Sequence, residues 1–169
     1  MKKAREEPTQ PHLKQDLQRR DARPEDAATI IAWFPTRRDA VWWGGPKVSN
    51  PLTADWLVGQ FALGSYWVWT GPDNEIQAMA GLQAKEGGVA WLNRFGIAPA
   101  IRGKGLAAQL MNELIDIARR RGDTEVSLGV YGSNHIARRV YEKLGFKPVS
   151  ERIADEDPSG TSITMRLAL

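Results

Sequence analysis

Between Val89 and Val130 the chain reads as strand, glycine-bearing turn, long amphipathic helix and strand. The helix, Arg102 to Arg121, carries Leu106, Leu110, Leu114 and Ile117, with Ala107, Met111 and Ala118 beside them. That is one broad apolar face at helical spacing. Arg119, Arg120 and Arg121 suit the negative end of the helix dipole, and Gly122 suits the position just past it. Two strands joined through such a helix lie parallel in one sheet.

The flanking sequence fills in the rest of an α/β (α+β) mixed sheet with helices on both faces. Leu17–Arg20 is a short strand candidate. Pro24 opens a helix expected to run through Trp33 and stop before Pro35. Thr36 to Pro51, with Gly44-Gly45-Pro46, reads as loop. Thr53 caps a second helix. Tyr66–Thr70, Glu75–Ala84 and Val89–Ile97 form an antiparallel meander with turns at Gly71–Asn74 and Gly87-Gly88. After the strand Glu125–Val130, a helix Asn134–Leu144 ends at Gly145. A hairpin, Phe146–Arg152 and Ser162–Ala168, closes the chain. The expected order is β-α-α-β-β-β-α-β-α-β-β. Residues 1–15 are polar and read as a flexible tail; residues 16–169 read as one domain.

Composition narrows the function classes. The net charge is only +3, compatible with an anionic ligand but too small to indicate nucleic acid. There is no cysteine, hence no thiol nucleophile, disulfide or thiolate metal site. His12 and His135 have no ligand partners at useful spacing, so no metal is expected. No apolar run is long enough for a membrane helix, and Met1–Arg20 lacks the apolar stretch of a secretory signal. A cytoplasmic protein without membrane or nucleic-acid partners is expected, as monomer or homodimer.

The most informative stretch is Arg102-Gly103-Lys104-Gly105-Leu106-Ala107. At a helix N-terminus the free backbone N–H groups and the dipole attract anions. Gly103 and Gly105 permit close approach, and Arg102 and Lys104 add charge. Together these residues suit a pyrophosphate. The nucleotide loops G-x-x-x-x-G-K-S/T and G-x-G-x-x-G are both absent. The alternative is a basic turn that merely starts a helix.

Pro99 to Ala107 resembles motif A of the GNAT (GCN5-related) N-acetyltransferases, Q/R-x-x-G-x-G/A. Asn134-His135-Ile136-Ala137 through Tyr141 to Gly145-Phe146 resembles their motif B, N-x-x-A-x-x-x-Y-x-x-x-G-F. The resemblance is close over Leu92–Phe146 and follows element order from Leu17 to Ala90. It implies the acyl-CoA N-acyltransferase fold, with splayed parallel central strands, and acetyl-CoA as co-substrate. It places the pyrophosphate on Arg102 to Ala107 and the pantetheine arm along Phe95, Gly96 and Ile97. It also implies a β-bulge there, which Gly96 would suit. Asn134 is implied near the pantetheine, or serves as a helix cap, or both. Tyr141 is implied as the acid that protonates the leaving thiolate; otherwise it is a core aromatic. Arg138 and Arg139 either reach phosphates or form a solvated face. The glutamate base of ribosomal-type alanine acetyltransferases has Gly129 in its place, which weakens that substrate class.

On the acceptor side, Trp42-Trp43-Gly44-Gly45-Pro46 offers two readings: an aromatic wall for the substrate or a plug for the core. Asp155-Glu156-Asp157 either attracts a cationic amine or is a solvated hairpin tip. Abundant tryptophan and few acids favour a small, partly apolar primary amine held against Trp42 or Trp43. A protein N-terminal or lysine acetyltransferase and a non-catalytic acetyl-CoA sensor are the alternatives.

Overall fold

Seven strands form one sheet in the order β1-β2-β3-β4-β5-β7-β6 in the computed structural model, which describes residues 16–169. The expected tail lies outside the described residues. The strands are β1 (Gln18–Asp21), β2 (Ser65–Thr70), β3 (Ile76–Lys85), β4 (Val89–Ile97), β5 (Glu125–Tyr131), β6 (Lys147–Ile153) and β7 (Thr161–Ala168). Neighbours are antiparallel except β4 and β5, which run parallel. The crossover helix expected between them is there, as α4 (Leu106–Arg121).

Five helices cover the sheet. Besides α4 they are α1 (Ala27–Ile31), α2 (Arg37–Gly44), α3 (Ala54–Phe61) and α5 (His135–Lys143). Two differ from expectation. The first helix ends at Ile31, and Trp33 lies in the turn beyond it. The segment 36–51, expected as loop, contains α2. Its signal is a capping box: Thr36 Oγ1 accepts from Asp39 N at 3.1 Å, and the Asp39 carboxylate accepts from Thr36 N at 3.3 Å. The Gly44-Gly45 pair ends this helix instead of marking a loop, with Gly45 at φ +86°. Asp26, buried before α1, takes a bidentate ion pair from Arg20 at 2.8 Å and joins β1 to the helix.

Two cores result. On one face, α4 packs Leu110, Met111 and Leu114 against Leu82, Leu92, Val126 and Leu128, and Tyr141 and Phe146 join them. On the other face, Ile30, Trp33, Trp43 and Leu57 cover Tyr66, Val68 and Met79. Fully burying each large apolar side chain contributes about 1.5–3 kcal/mol. The two cores clamp the sheet from both sides.

Candidate active site

The parallel ladder of β4 and β5 stops early. It pairs Val89 with Glu125 through Leu92 with Leu128, and no further. Beyond that, Asn93–Ile97 pairs only with β3, and Gly129–Tyr131 only with β7. A wedge opens between two strand edges, at the carboxyl ends of parallel strands.

A β-bulge sits on one wall of the wedge. Met79 pairs with Gly96 and Gly81 with Asn93, so β4 spends three steps where β3 spends two. The bulge is centred on Arg94, whose φ is +48°, and not on Gly96 as expected. Side chains hold this conformation in place. Trp43 Nε1 donates to the Arg94 carbonyl at 3.0 Å. The Arg94 guanidinium donates to Tyr66 Oη at 2.9 Å and Gln60 Oε1 at 2.7 Å, and lies 5.1 Å from the Trp56 ring centroid. Gly96 has a different reason to be glycine. A Cβ there would come 2.9 Å from Phe34 Cζ and 3.2 Å from Trp43 Nε1. Phe95 and Ile97 turn to the opposite face and pack against the α4 core.

At the end of the wedge, Gly103 and Gly105 both have φ +77°. Gly105 is the N-cap of α4, with no side-chain cap and no acid in the first turn. The first-turn N–H groups are therefore left for an anion. Leu106 is buried, so it serves the loop through its backbone; Ala107 is half-buried and Lys104 exposed. Arg102 departs from expectation. Its Nε donates to Ile97 O at 2.9 Å and Nη2 to Trp33 O at 3.4 Å. It ties the loop to the end of β4 and does not stand free in the cradle.

The α5 side supplies two further residues. Tyr141 is 9% exposed and its ring lies 5.9 Å from Phe146. Its hydroxyl has no hydrogen-bond partner among the described residues. Burial pushes the phenol up to about 12. Asn134 caps α5: its Oδ1 accepts from Ala137 N at 3.3 Å. Ser133 does not compete for the cap, because its hydroxyl goes to Asp157. Arg138 pairs with Glu142 at 3.9 Å and Arg139 is exposed, so neither is drawn into the wedge.

Around Trp42 and Trp43 the structure corrects one expectation and selects between the readings of another. Asp157 is not a solvated tip residue; it is 4% exposed. It accepts from Trp42 Nε1 at 2.9 Å, from the backbone N–H groups of Ser133 and Ser159 at 3.2 and 3.1 Å, and from both serine hydroxyls. Burial pushes its pKa up, but the donors from Ser133, Ser159 and Trp42 outweigh that and hold the carboxyl well below the usual range. The sequence Asp157-Pro158-Ser159-Gly160 carries a local signal for half of this, a turn in which aspartate bonds backbone two residues on. Nothing local foretold Trp42. Trp43 takes the core reading of its two. It is 8% exposed and stacks on Phe34 with centroids 4.3 Å apart. It is a core side chain that props the bulge, whereas Trp42 is half-buried.

Nearby, Tyr131 Oη donates to Glu156 Oε1 at 3.0 Å, and Glu156 pairs with Arg152 at 3.0 Å. Gly129 is exposed, and a Cβ there would lie 3.7 Å from the Trp91 ring. A separate cavity of about 390 Å³ lies among Ala28, Phe34, Arg37, Ala40 and Pro51; no residue of β4, β5, α4 or α5 lines it. Among the described residues no group of three or more potential metal ligands occurs, and no helix is long and apolar enough to cross a membrane.

The site is thus a splayed parallel pair of strands that ends on the uncapped N-terminus of a helix. Residues 15–146 match the Acetyltransferase (GNAT) family, and the chain belongs to that family. It is 33% identical over 78 residues to mycothiol acetyltransferase of Beutenbergia cavernae, 46% of this chain and 26% of that protein. The chain spans between about a quarter and two fifths of the curated relatives it matches. Among solved structures, a GCN5-related N-acetyltransferase from Kribbella flavida superposes with a TM-score of 0.73 at 25% identity, covering 90% of this chain and 98% of that one. YncA from Salmonella typhimurium, solved with its cofactor acetyl-CoA, gives 0.63 at 23% identity, covering 90% and 93%.

Proposed function

We propose that the chain transfers the acetyl group of acetyl-CoA directly to the primary amine of a small molecule. The observation that carries this reading is the wedge between β4 and β5, ending at the uncapped N-terminus of α4. The residues present fit acetyl-CoA. Within the loop Arg102 to Ala107, the N–H groups from Gly103 onward are free for a pyrophosphate, and Phe95 to Ile97 offers the pantetheine arm a strand edge without a β5 partner. Bound acetyl-CoA supplies an activated thioester carbonyl.

The protein's own work is positioning and polarisation. Backbone N–H groups beside the bulge at Arg94 stabilise the charge that develops on the carbonyl oxygen. Asn134 keeps its amide N–H₂ for the pantetheine while its oxygen caps α5. Tyr141 serves as the donor to the leaving sulfur. With the phenol near 12 and a free thiol near 8.5, complete proton transfer runs uphill by about 5 kcal/mol. Tyr141 therefore holds its proton and stabilises the departing thiolate by hydrogen bonding. The nearby acids make poor bases: Asp157 and Glu156 are both held below the usual carboxylate range, Glu156 by a backbone hydrogen bond and then by Arg152 and Tyr131. The amine must arrive neutral or lose its ammonium proton to water, and the proton its nitrogen sheds as the amide forms goes to water, which in turn protonates the departed thiolate. The half-buried Trp42 supplies an apolar surface for its body. We place this enzyme in the cytoplasm and assign it no metal.

Thiol release with a panel of amino acids, aryl-alkyl amines, polyamines, aminoglycosides and N-terminal peptides tests the reading. Turnover of the small, partly apolar amines is expected. Turnover of peptides alone would assign a protein acetyltransferase, and tight acetyl-CoA binding without any turnover a sensor.

A further inference from the structure

We infer that Arg94 binds a carboxylate on the acceptor, so that the acceptor is an amino acid or a close relative with its acid near the reactive amine. The inference rests on the acetyl-transfer reading above and narrows its substrate class.

The first observation is an unmatched charge. Three arginines among the described residues are half-buried: Arg20, Arg94 and Arg138. Arg20 pairs with Asp26 and Arg138 with Glu142. Arg94 has no carboxylate partner among the described residues; its contacts are the Tyr66 phenol, the Gln60 amide and the Trp56 ring. A cation withdrawn from water into neutral surroundings is costly unless an anion joins it.

The second observation is a count of donors. A guanidinium has five N–H groups. Two are spent, on Tyr66 and Gln60. Nε is buried with no partner, and so is Oδ1 of the adjacent Asn93. Nε is closed off from solvent, but the second N–H on each terminal nitrogen is unspent among the described residues, and these are the donors an acceptor carboxylate would take.

Position is the third observation. Arg94 sits where β4 parts from β5, one residue before the backbone of Phe95 to Ile97. It lies on the α1–α3 face with Trp43 and Tyr66. An acid bound there keeps an α-amine close to the polarised carbonyl.

The test uses matched acceptors with the full chain and acetyl-CoA: phenylalanine against phenethylamine, and tyrosine against tyramine. The wild type should favour each amino acid by at least about tenfold in kcat/KM, because a site built for a polar group rejects the analogue lacking it. Arg94→Gln and Arg94→Lys should bring that ratio toward one, chiefly through KM. A merely structural role for Arg94 would lower both members of a pair together and leave the ratio unchanged, which overturns the inference. A wild-type ratio of one or below also overturns it, needs no variant, and leaves the acetyl-transfer reading standing. Turnover of no amine at all removes that reading and the inference with it.

Discussion

The two sides of the β4–β5 wedge are built of different materials. The side we propose for the phosphates is backbone: two glycines at φ +77° and the uncapped first turn of α4, all within residues 102–107. The side we propose for the acceptor is side chain, assembled from α2, α3, β4, β5 and the loop between β6 and β7. Trp42 meets Asp157 across 115 positions, and Trp43 meets Arg94 across 51. A backbone site is written in contiguous sequence and admits few changes. A side-chain site depends on long-range packing and can vary its substrate without altering the cofactor.

Three substitutions sharpen that contrast. Gly105→Glu should have the largest effect. It places a side chain at a positive φ and a negative charge where the pyrophosphate sits. Calorimetry should detect no acetyl-CoA binding while the protein remains folded; unchanged affinity would remove the phosphate-loop assignment.

Tyr141→Phe comes next. Turnover should fall by about a hundredfold with acetyl-CoA affinity little changed. Since burial raises the phenol to about 12, Tyr141 stays protonated throughout the working range. The wild-type rate should therefore rise with pH as the amine deprotonates, with no falling limb from this residue below about 12. Near-normal turnover with altered stability alone would make Tyr141 a core aromatic.

Asp157→Asn should cost stability and acceptor binding and leave acetyl-CoA binding intact. All five of its partners are donors. An asparagine presents its own N–H₂ to some of them, so it should not rescue the loss, on the order of 3 kcal/mol. The folded-state pKa of Asp157 lies below the unfolded one. Its contribution is therefore fully present above the ordinary aspartate range and lost as pH falls beneath it. Denaturant midpoints at pH 7 and pH 3 measure both effects. An asparagine variant as stable as wild type at pH 7 would show that the ionised carboxylate does not hold the loop.

The same contrast governs how much was legible in advance. The meander β2 to β4 and the crossover through α4 follow from local periodicity and turn chemistry, and they stand where expected. The misses concern what those residues touch. The segment 36–51 reads as loop from its glycines and prolines, whereas the Thr36–Asp39 capping box starts α2 within it. Gly96 was expected to form the bulge, but its lack of a side chain admits Phe34 and Trp43, and the bulge falls on an arginine. Arg102 looked like a phosphate ligand until its guanidinium was placed on backbone carbonyls. Asp157 looked solvated because a buried carboxylate is unusual, and two of its partners, Trp42 and Ser133, come from distant segments.

Amide hydrogen exchange with and without acetyl-CoA tests the central claim most directly. The wedge predicts slowed exchange in two separate segments, residues 93–97 along the strand edge and residues 103–107 at the helix N-terminus. The cavity between α1 and α2 should be unaffected. Protection confined to that cavity, or absent from both segments while acetyl-CoA is bound, would contradict the placement of the cofactor between β4 and β5.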